Sequence, residues 1–372
     1  MAGSCAACLA GGGAYPALAQ DAASPGAPLP ADAGGLAPVK ARWWKKKEGL
    51  VVECGLCPHK CVVADIERGT CGVRENQGGT YYTLVHSRPC SLAIDPIEKK
   101  PFFHVLPGTK ALSIATPGCN FECKFCQNWE IAQARPEQIK STPLTPPQVV
   151  ALAKSRGTPT ISCTYTEPIV WSEYVYDIAA ESRKAGIRTT IVSNGYVEEE
   201  PLNDLCTVLG AVKVDLKAFT QKFYQEQCKG ELKPVLDTLR RLKKKGMWVE
   251  IVDLIVPTLN DGEDEIRALS KFVKEELGPE VPVHFTRFHP YYRLMNLPST
   301  PVATLERAHR IATEAGLQYV YVGNVPGHPT ESTFCPRCKT RLIHRTGYAI
   351  LENRLTGGKC PQCGQPQPGV WA

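Results

Sequence analysis

A chain of 372 residues, 43% hydrophobic and 22% charged, has room for one large core with one or two small units, and its balance excludes a wholly disordered polypeptide. Its formal net charge of +6 is mild for this length and gives no ground for a nucleic-acid partner. Seventeen cysteines, many in C-x2-C pairs, are the outlier, and in a chain this long they point to metal or cluster ligands rather than a disulfide framework.

The first 39 residues contain no Lys or Arg and are rich in Ala, Gly and Pro. Ala17, Leu18 and Ala19 suit a small-residue cleavage site. Residues 1–42 are therefore read as a leader, either an export signal lacking its basic start or a disordered low-complexity stretch. Cys5 and Cys8 fall inside it and receive no role. No run of 18 or more apolar residues follows, so no membrane span is expected.

Residues 43–108 form a Cys-rich segment. Trp43, Trp44, Lys45, Lys46 and Lys47 read as a solvated entry to it rather than a nucleic-acid patch. Cys54, Cys57, Cys61 and Cys71 follow at C-x2-C-x3-C-x9-C spacing. Four thiolates within eighteen residues can close a tetrahedral zinc site or an iron–sulfur cluster, and spacing alone leaves both open. With every ligand from protein, such a site is structural or an electron relay. Cys90 stands apart as a buried small apolar residue. Residues 96–104, with charges and aromatics between prolines, read as an ordered loop.

From 109 to 325 strands and helices alternate. Runs rich in β-branched residues at 111–116, 160–165, 188–193, 211–216, 248–256, 283–288 and 318–322 read as strands. Apolar steps of three and four residues predict helices over 146–155, 169–185, 234–245, 263–277 and 304–315. Repeated right-handed strand–helix–strand units give a parallel sheet curling toward a barrel, short of the eight units of a closed one. The expected fold is α/β: a partial (β/α)6 TIM-like barrel with an N-terminal Cys-rich metal segment and a C-terminal zinc-ribbon-like unit. Reactive groups in such barrels occupy loops at the C-terminal ends of strands. The first strand is followed by Cys119, Cys123 and Cys126 at C-x3-C-x2-C spacing. Glu167, Asn194, Asp215, Lys217 and His289 stand at later strand ends. Three thiolates on a four-iron cubane leave one iron open for a ligand.

The tail, 326–372, carries Cys335 and Cys338, then Cys360 and Cys363, with 21 residues between the pairs. Paired C-x2-C knuckles at this separation read as a structural zinc ribbon, with strands at 342–344 and 349–351.

These motifs together resemble the radical S-adenosylmethionine (SAM) superfamily, and from residue 54 onward the radical SAM enzymes of the AmmeMemoRadiSam system, related to pyruvate formate-lyase activating enzymes. The resemblance makes 109–325 the radical SAM core. It implies a [4Fe-4S] cluster on Cys119, Cys123 and Cys126, whose open iron is chelated by SAM. Reductive cleavage of SAM then yields a 5′-deoxyadenosyl radical that abstracts hydrogen from a protein or small molecule. Glu167 would meet the SAM amino group, although Tyr165 and Thr166 replace the two glycines that precede it in the superfamily. Asn194, Asp215, Lys217 and His289 would contact the SAM ribose or carboxylate. Val192 stands where activating enzymes carry an aspartate. The implied partners are an electron donor such as a flavodoxin or ferredoxin and a protein substrate or AmmeMemoRadiSam partner. A redox cluster with an open iron needs a reducing compartment, so the cytoplasm is expected. The alternatives are activation of a glycyl radical enzyme and, outside catalysis, a zinc-rich binding scaffold.

Overall fold

The structure, a computed structural model, describes residues 38–372. Most of the expected leader, with Cys5, Cys8 and the Ala17-Leu18-Ala19 site, lies outside the described residues. At the centre is an eight-stranded sheet. Its strands are β1 (Ser91–Pro96), β2 (Lys110–Ala115), β3 (Thr160–Cys163), β4 (Arg188–Ser193), β5 (Ala211–Asp215), β6 (Val249–Ile255), β7 (Val283–Arg287) and β8 (Val320–Gly323). They lie side by side in chain order. From β2 to β8 all are parallel, while β1 pairs antiparallel with β2. Six helices fill the crossovers: α1 (Pro146–Ser155), α2 (Ser172–Lys184), α3 (Glu199–Cys206), α4 (Leu232–Lys244), α5 (Glu263–Phe272) and α6 (Val302–Glu314). The architecture is thus the partial (β/α)6 barrel with one antiparallel strand added at its edge.

Local sequence accounts for these elements. β3 is buried at all four positions, as a strand covered on both faces must be. α4 buries Val235, Leu239 and Leu242 on one face and gathers Arg241, Lys243 and Lys244 in its last turn, where cations suit the helix dipole. α1 opens with Pro146 in its first turn, and the Gln148 side chain accepts the Thr145 N–H at 2.8 Å. Two elements escape the sequence patterns. β1 leaves Leu92 and Ile94 partly exposed on an edge, so its alternation is not that of a core strand. α3 buries only Pro201, Leu202 and Leu205 behind a Glu-Glu-Pro start. The expected helix over 263–277 ends its α-helical part at Phe272 and finishes in a wider π turn, Val273–Leu277.

Three small sheets flank the large one. Two are built on the Cys-rich segment: Thr80–Thr83 with Arg74–Gln77 and, from the end of the expected leader, Val39–Lys40; and Trp44–Lys46 with Val52–Cys54 and Val62–Val63. The third joins Thr333–Phe334, Arg341–Thr346 and Ala349–Asn353, and contains both expected tail strands. The N-terminal segment is tied to α2 by a buried bidentate pair, with Arg74 nitrogens 2.7 and 2.8 Å from the two Glu173 oxygens. No helix among the described residues is long and apolar enough to cross a membrane.

The N-terminal ends of the last strands are closed by a buried polar network. Glu250 on β6 accepts the backbone N–H groups of Phe103 and His104 at 2.9 and 2.8 Å, and His284 Nε2 on β7 lies 2.9 Å from it. His104 Nδ1 donates to the Pro368 carbonyl at 2.8 Å, leaving Nε2 to accept from the Tyr321 hydroxyl of β8 at 2.7 Å. Arg345 reaches the Phe103 carbonyl at 2.7 Å, so the C-terminal sheet docks on the same loop. Burial pushes His104 down to about 4 from its ordinary 6.5. Between those values the unfolded chain binds the extra proton, so this contribution to stability is whole above about 6.5 and is lost as pH falls toward 4. We predict that the melting temperature falls across that window, and falls less steeply in a His104→Gln variant. Parallel slopes for the two proteins in a pH series of thermal melts would show that His104 is not responsible.

Candidate functional site

The three-cysteine loop leaves the C-terminal end of β2 through Pro117 and Gly118. Gly118 has a φ of +99°, and a Cβ there would lie 2.5 Å from Val73 Cγ1, so only glycine fits the turn. The loop is then gripped from several sides. Glu122 and Lys124 N–H groups donate to the Cys228 and Gln227 carbonyls, both at 2.9 Å. Asn194 at the end of β4 donates from Nδ2 to Asn120 Oδ1 at 2.8 Å, and Asn120 Nδ2 donates to the Tyr196 carbonyl at 2.9 Å. The Arg293 N–H donates to the Lys124 carbonyl at 2.9 Å.

Cys119, Cys123 and Cys126 line one cavity of about 360 Å³. Glu167, Asn194, Asp215 and Lys217 line the same cavity, so four of the five expected polar residues come together around the thiols. His289 does not join them. The chain beyond β7 turns Phe288 into the core, and the next residue faces outward, where His289 is exposed and hydrogen-bonded to Ser299 Oγ at 3.1 Å. Val192 also lines the cavity, an apolar surface within a polar ring.

Glu167 is buried with both carboxylate oxygens engaged. Oε1 accepts from Ile169 N at 3.0 Å and Ser193 Oγ at 2.7 Å, and Oε2 from Asn194 N at 2.7 Å. Burial pushes its pKa up to about 7 despite these donors. Tyr165, two residues earlier, holds a φ of +68°, the left-handed region that favours glycine. The backbone thus keeps a glycine-like shape without the glycine, and the Tyr165 hydroxyl is pinned by Asp95. Asp215 lies between two lysines, bonded to Lys213 Nζ and to Lys217 Nζ, the latter at 2.7 Å. Burial opposes its charge, but the two ammonium groups outweigh burial and hold its carboxyl well below the usual range.

Burial pushes the Cys119 thiol well up and Cys126 up to about 11, whereas a hydrogen bond from the Cys228 thiol draws Cys123 down. Cys228 is fully buried behind Cys123 and is not among the cavity-lining residues. Cys228 and Lys213 are not legible in the sequence: Cys228 closes the π turn Tyr224–Cys228 and belongs to no motif, while Lys213 reads as an interior strand position. Ser193 stands at a strand end in the sequence, and only the structure gives it a partner, Glu167.

The tail cysteines gather differently. Cys335 and Cys363 sulfurs lie 3.6 Å apart, as do those of Cys338 and Cys360. Four sulfurs bound tetrahedrally to one ion at about 2.3 Å stand about 3.8 Å apart, so the donor set and its spacing fit a single ion. Among the described residues, this is the one group of Cys, His, Asp or Glu whose ligand atoms all come within 4.8 Å of one another. The 119–126 thiols are not drawn in that far. A wider set facing a cavity fits a multi-iron cluster, whose thiolates bind different irons.

Gly230 packs under the loop, and a Cβ there would lie 2.2 Å from the Phe121 ring. We predict that Gly230→Ala destabilises the chain by about 1–3 kcal/mol through overpacking and lowers iron retention, measured by urea denaturation and metal analysis. An unchanged urea midpoint would show that the ring moves aside at no cost.

Comparison with known proteins follows the same span of chain. The pattern of the Radical SAM superfamily matches residues 113–273, from within β2 to the end of α5. The uncharacterized protein MJ0808 of Methanocaldococcus jannaschii is 44% identical over 328 residues, covering 88% of this chain and 98% of its own. The pyruvate formate-lyase 1-activating enzyme of Escherichia coli K12 is 22% identical over 219 residues, covering 55% of this chain and 89% of its own. Among solved structures, Streptococcus suis SuiB bound to S-adenosylmethionine aligns with a TM-score of 0.47 and 15% identity, over 63% of this chain and 54% of that one. Because MJ0808 is 44% identical and aligns over nearly its whole length, this chain belongs to one family with MJ0808, and its residues 113–273, which run through the strand ends that carry the cavity, match the Radical SAM superfamily.

Proposed function

We propose that Cys119, Cys123 and Cys126 hold a [4Fe-4S] cluster and that the adjoining cavity receives SAM. The observation that carries this reading is the convergence of three thiols with Glu167, Asn194, Asp215 and Lys217 on one cavity at the C-terminal ends of the strands. When bound, the cluster supplies the electron that cleaves SAM to methionine and a 5′-deoxyadenosyl radical, which abstracts hydrogen from a carbon of the substrate.

The chain's own residues bind, orient and exclude water. Glu167 lines the cavity and is fixed by three donors, two on Oε1 and one on Oε2, so Oε2 keeps one lone-pair site to accept an ammonium group. Lys217 offers a cation for a carboxylate and Asp215 an acceptor for ribose hydroxyls, once their mutual bond opens. Val192, Val252 and Leu254 give the cavity an apolar wall that keeps water from a reactive radical. His289, exposed beyond the rim, is left out of this ligand set. The substrate is a protein or small molecule with an abstractable carbon-bound hydrogen, in the setting of the AmmeMemoRadiSam system. A flavodoxin- or ferredoxin-like protein supplies the electron, in the cytoplasm. The tail site takes structural zinc. A second reading, activation of a glycyl radical enzyme, is favoured by the alignment with the pyruvate formate-lyase 1-activating enzyme. A stable glycyl radical in electron paramagnetic resonance would select it.

Anaerobically purified protein given dithionite and SAM is expected to release 5′-deoxyadenosine, and Cys123→Ser to release none. A colourless protein, or a Cys123→Ser variant that still cleaves SAM, would overturn the assignment. Glu167→Gln should raise the SAM concentration needed for half-maximal cleavage about ten- to a hundredfold, the worth of one charge-assisted hydrogen bond. An unchanged SAM dependence would remove Glu167 from the ammonium site.

A further inference from the structure

We propose that Cys54, Cys57, Cys61 and Cys71 hold a second iron–sulfur cluster, ligated wholly by protein and set against the three-cysteine loop. This goes beyond the proposed function, which needs only the 119–126 thiols. The four cysteines come from three turns of chain that fold onto one spot. The Cys54 N–H donates to the Cys61 carbonyl at 2.9 Å, Lys60 N–H closes a turn onto the Cys57 carbonyl at 3.0 Å, and Gly72 N–H closes another onto Gly69 at 2.9 Å. Cys54 and Cys57 are buried, and Cys61 and Cys71 pack on the same core. The Cys54, Cys71 and Cys61 sulfurs lie near that of Cys57.

One feature favours a cluster over a single zinc ion, and a second shows that the thiols are held as acceptors in a metal site. The first is spacing. The tail set is drawn together within 4.8 Å in this same structure, whereas the Cys54 set is not. Four thiolates on four different irons stand farther apart than four on one ion. The second is Tyr81. Its ring is fully buried and its hydroxyl has no hydrogen-bond partner. It lies among the Cys71 and Cys54 thiols. At Gly69 an added Cβ would lie 2.8 Å from the Tyr81 hydroxyl and 3.5 Å from Cys61 Sγ, so glycine leaves the path between them clear. A buried hydroxyl left without a partner is costly, and a metal-bound thiolate sulfur supplies the acceptor.

The location adds a reason for redox chemistry. A Cβ on Gly118 would come 2.9 Å from the Cys71 carbonyl, and His59 Nε2 donates to the Asn120 carbonyl at 2.7 Å. The two cysteine loops therefore touch through residues adjacent to their ligands. Zinc there would be redox-inert, whereas a cluster puts a one-electron centre beside Cys119.

The test is metal and acid-labile sulfide analysis of full-length protein purified without oxygen, as wild type and as the Cys119→Ala, Cys123→Ala, Cys126→Ala triple variant. The triple variant is expected to stay brown and keep iron and sulfide in equal amounts, about four of each for a cubane. Its reduced signal in electron paramagnetic resonance should not respond to SAM. A colourless triple variant with about two zinc ions per chain would overturn the inference. The wild type decides independently of any variant: about eight irons and one zinc per chain support a second cluster, and about four irons and two zincs refute it. Equal iron in wild type and triple variant would instead refute the proposed function while supporting this site.

Discussion

The buried carboxylate of Glu250 is the constraint on which the architecture turns. An open sheet of parallel strands exposes two ends, and only one can serve as a site. Glu250 lies on the same face of β6 as Val252 and Leu254, which line the cavity, but at the opposite, N-terminal end. Ionised and buried, it requires donors, and the backbone of Phe103 and His104, brought across the strand ends beside His284, supplies them. That loop in turn recruits Tyr321, Arg345 and the Pro368 carbonyl. One buried charge thus closes one end of the partial barrel and docks the C-terminal sheet, leaving the cavity to form at the other end.

At that other end the three-cysteine loop has no regular structure of its own. Its shape is borrowed from what touches it: Asn194 from β4, the 227–228 carbonyls after β5, and the Cys-rich segment packed under Gly118. The N-terminal segment is held in place by Arg74 and Glu173, a buried pair of the kind whose loss of one member costs several kcal/mol, roughly 3–5. Accessory segments therefore contribute to the site by fixing backbone. The tail also reaches it, since Tyr348 in the turn of the C-terminal hairpin lines the cavity.

Much of this was legible in the chain. The seven parallel strands follow from runs of β-branched residues, because burial on both faces keeps them rich in apolar positions even where Lys213, Glu250 or His284 interrupts them. β1 was hidden because an edge strand keeps one face exposed, as Leu92 and Ile94 are. The strand-end rule placed Glu167, Asn194, Asp215 and Lys217 at one rim without coordinates. It overreached at His289, since the rule fixes where along a strand a residue falls but not which way the chain leaves it.

Sequence by itself determined the ligand types, their spacing and the order of the strands, because these depend on short-range chain geometry and on burial pattern. Only the tertiary structure decided which groups share a space. Cys228 behind Cys123, Lys213 beside Asp215 and Tyr81 among the N-terminal thiols are contacts between segments far apart in the chain, and no local pattern encodes them. The same holds for how the cysteines gather: packing draws the four tail sulfurs together, with two pairs 3.6 Å apart, a property of the folded backbone rather than of the motif.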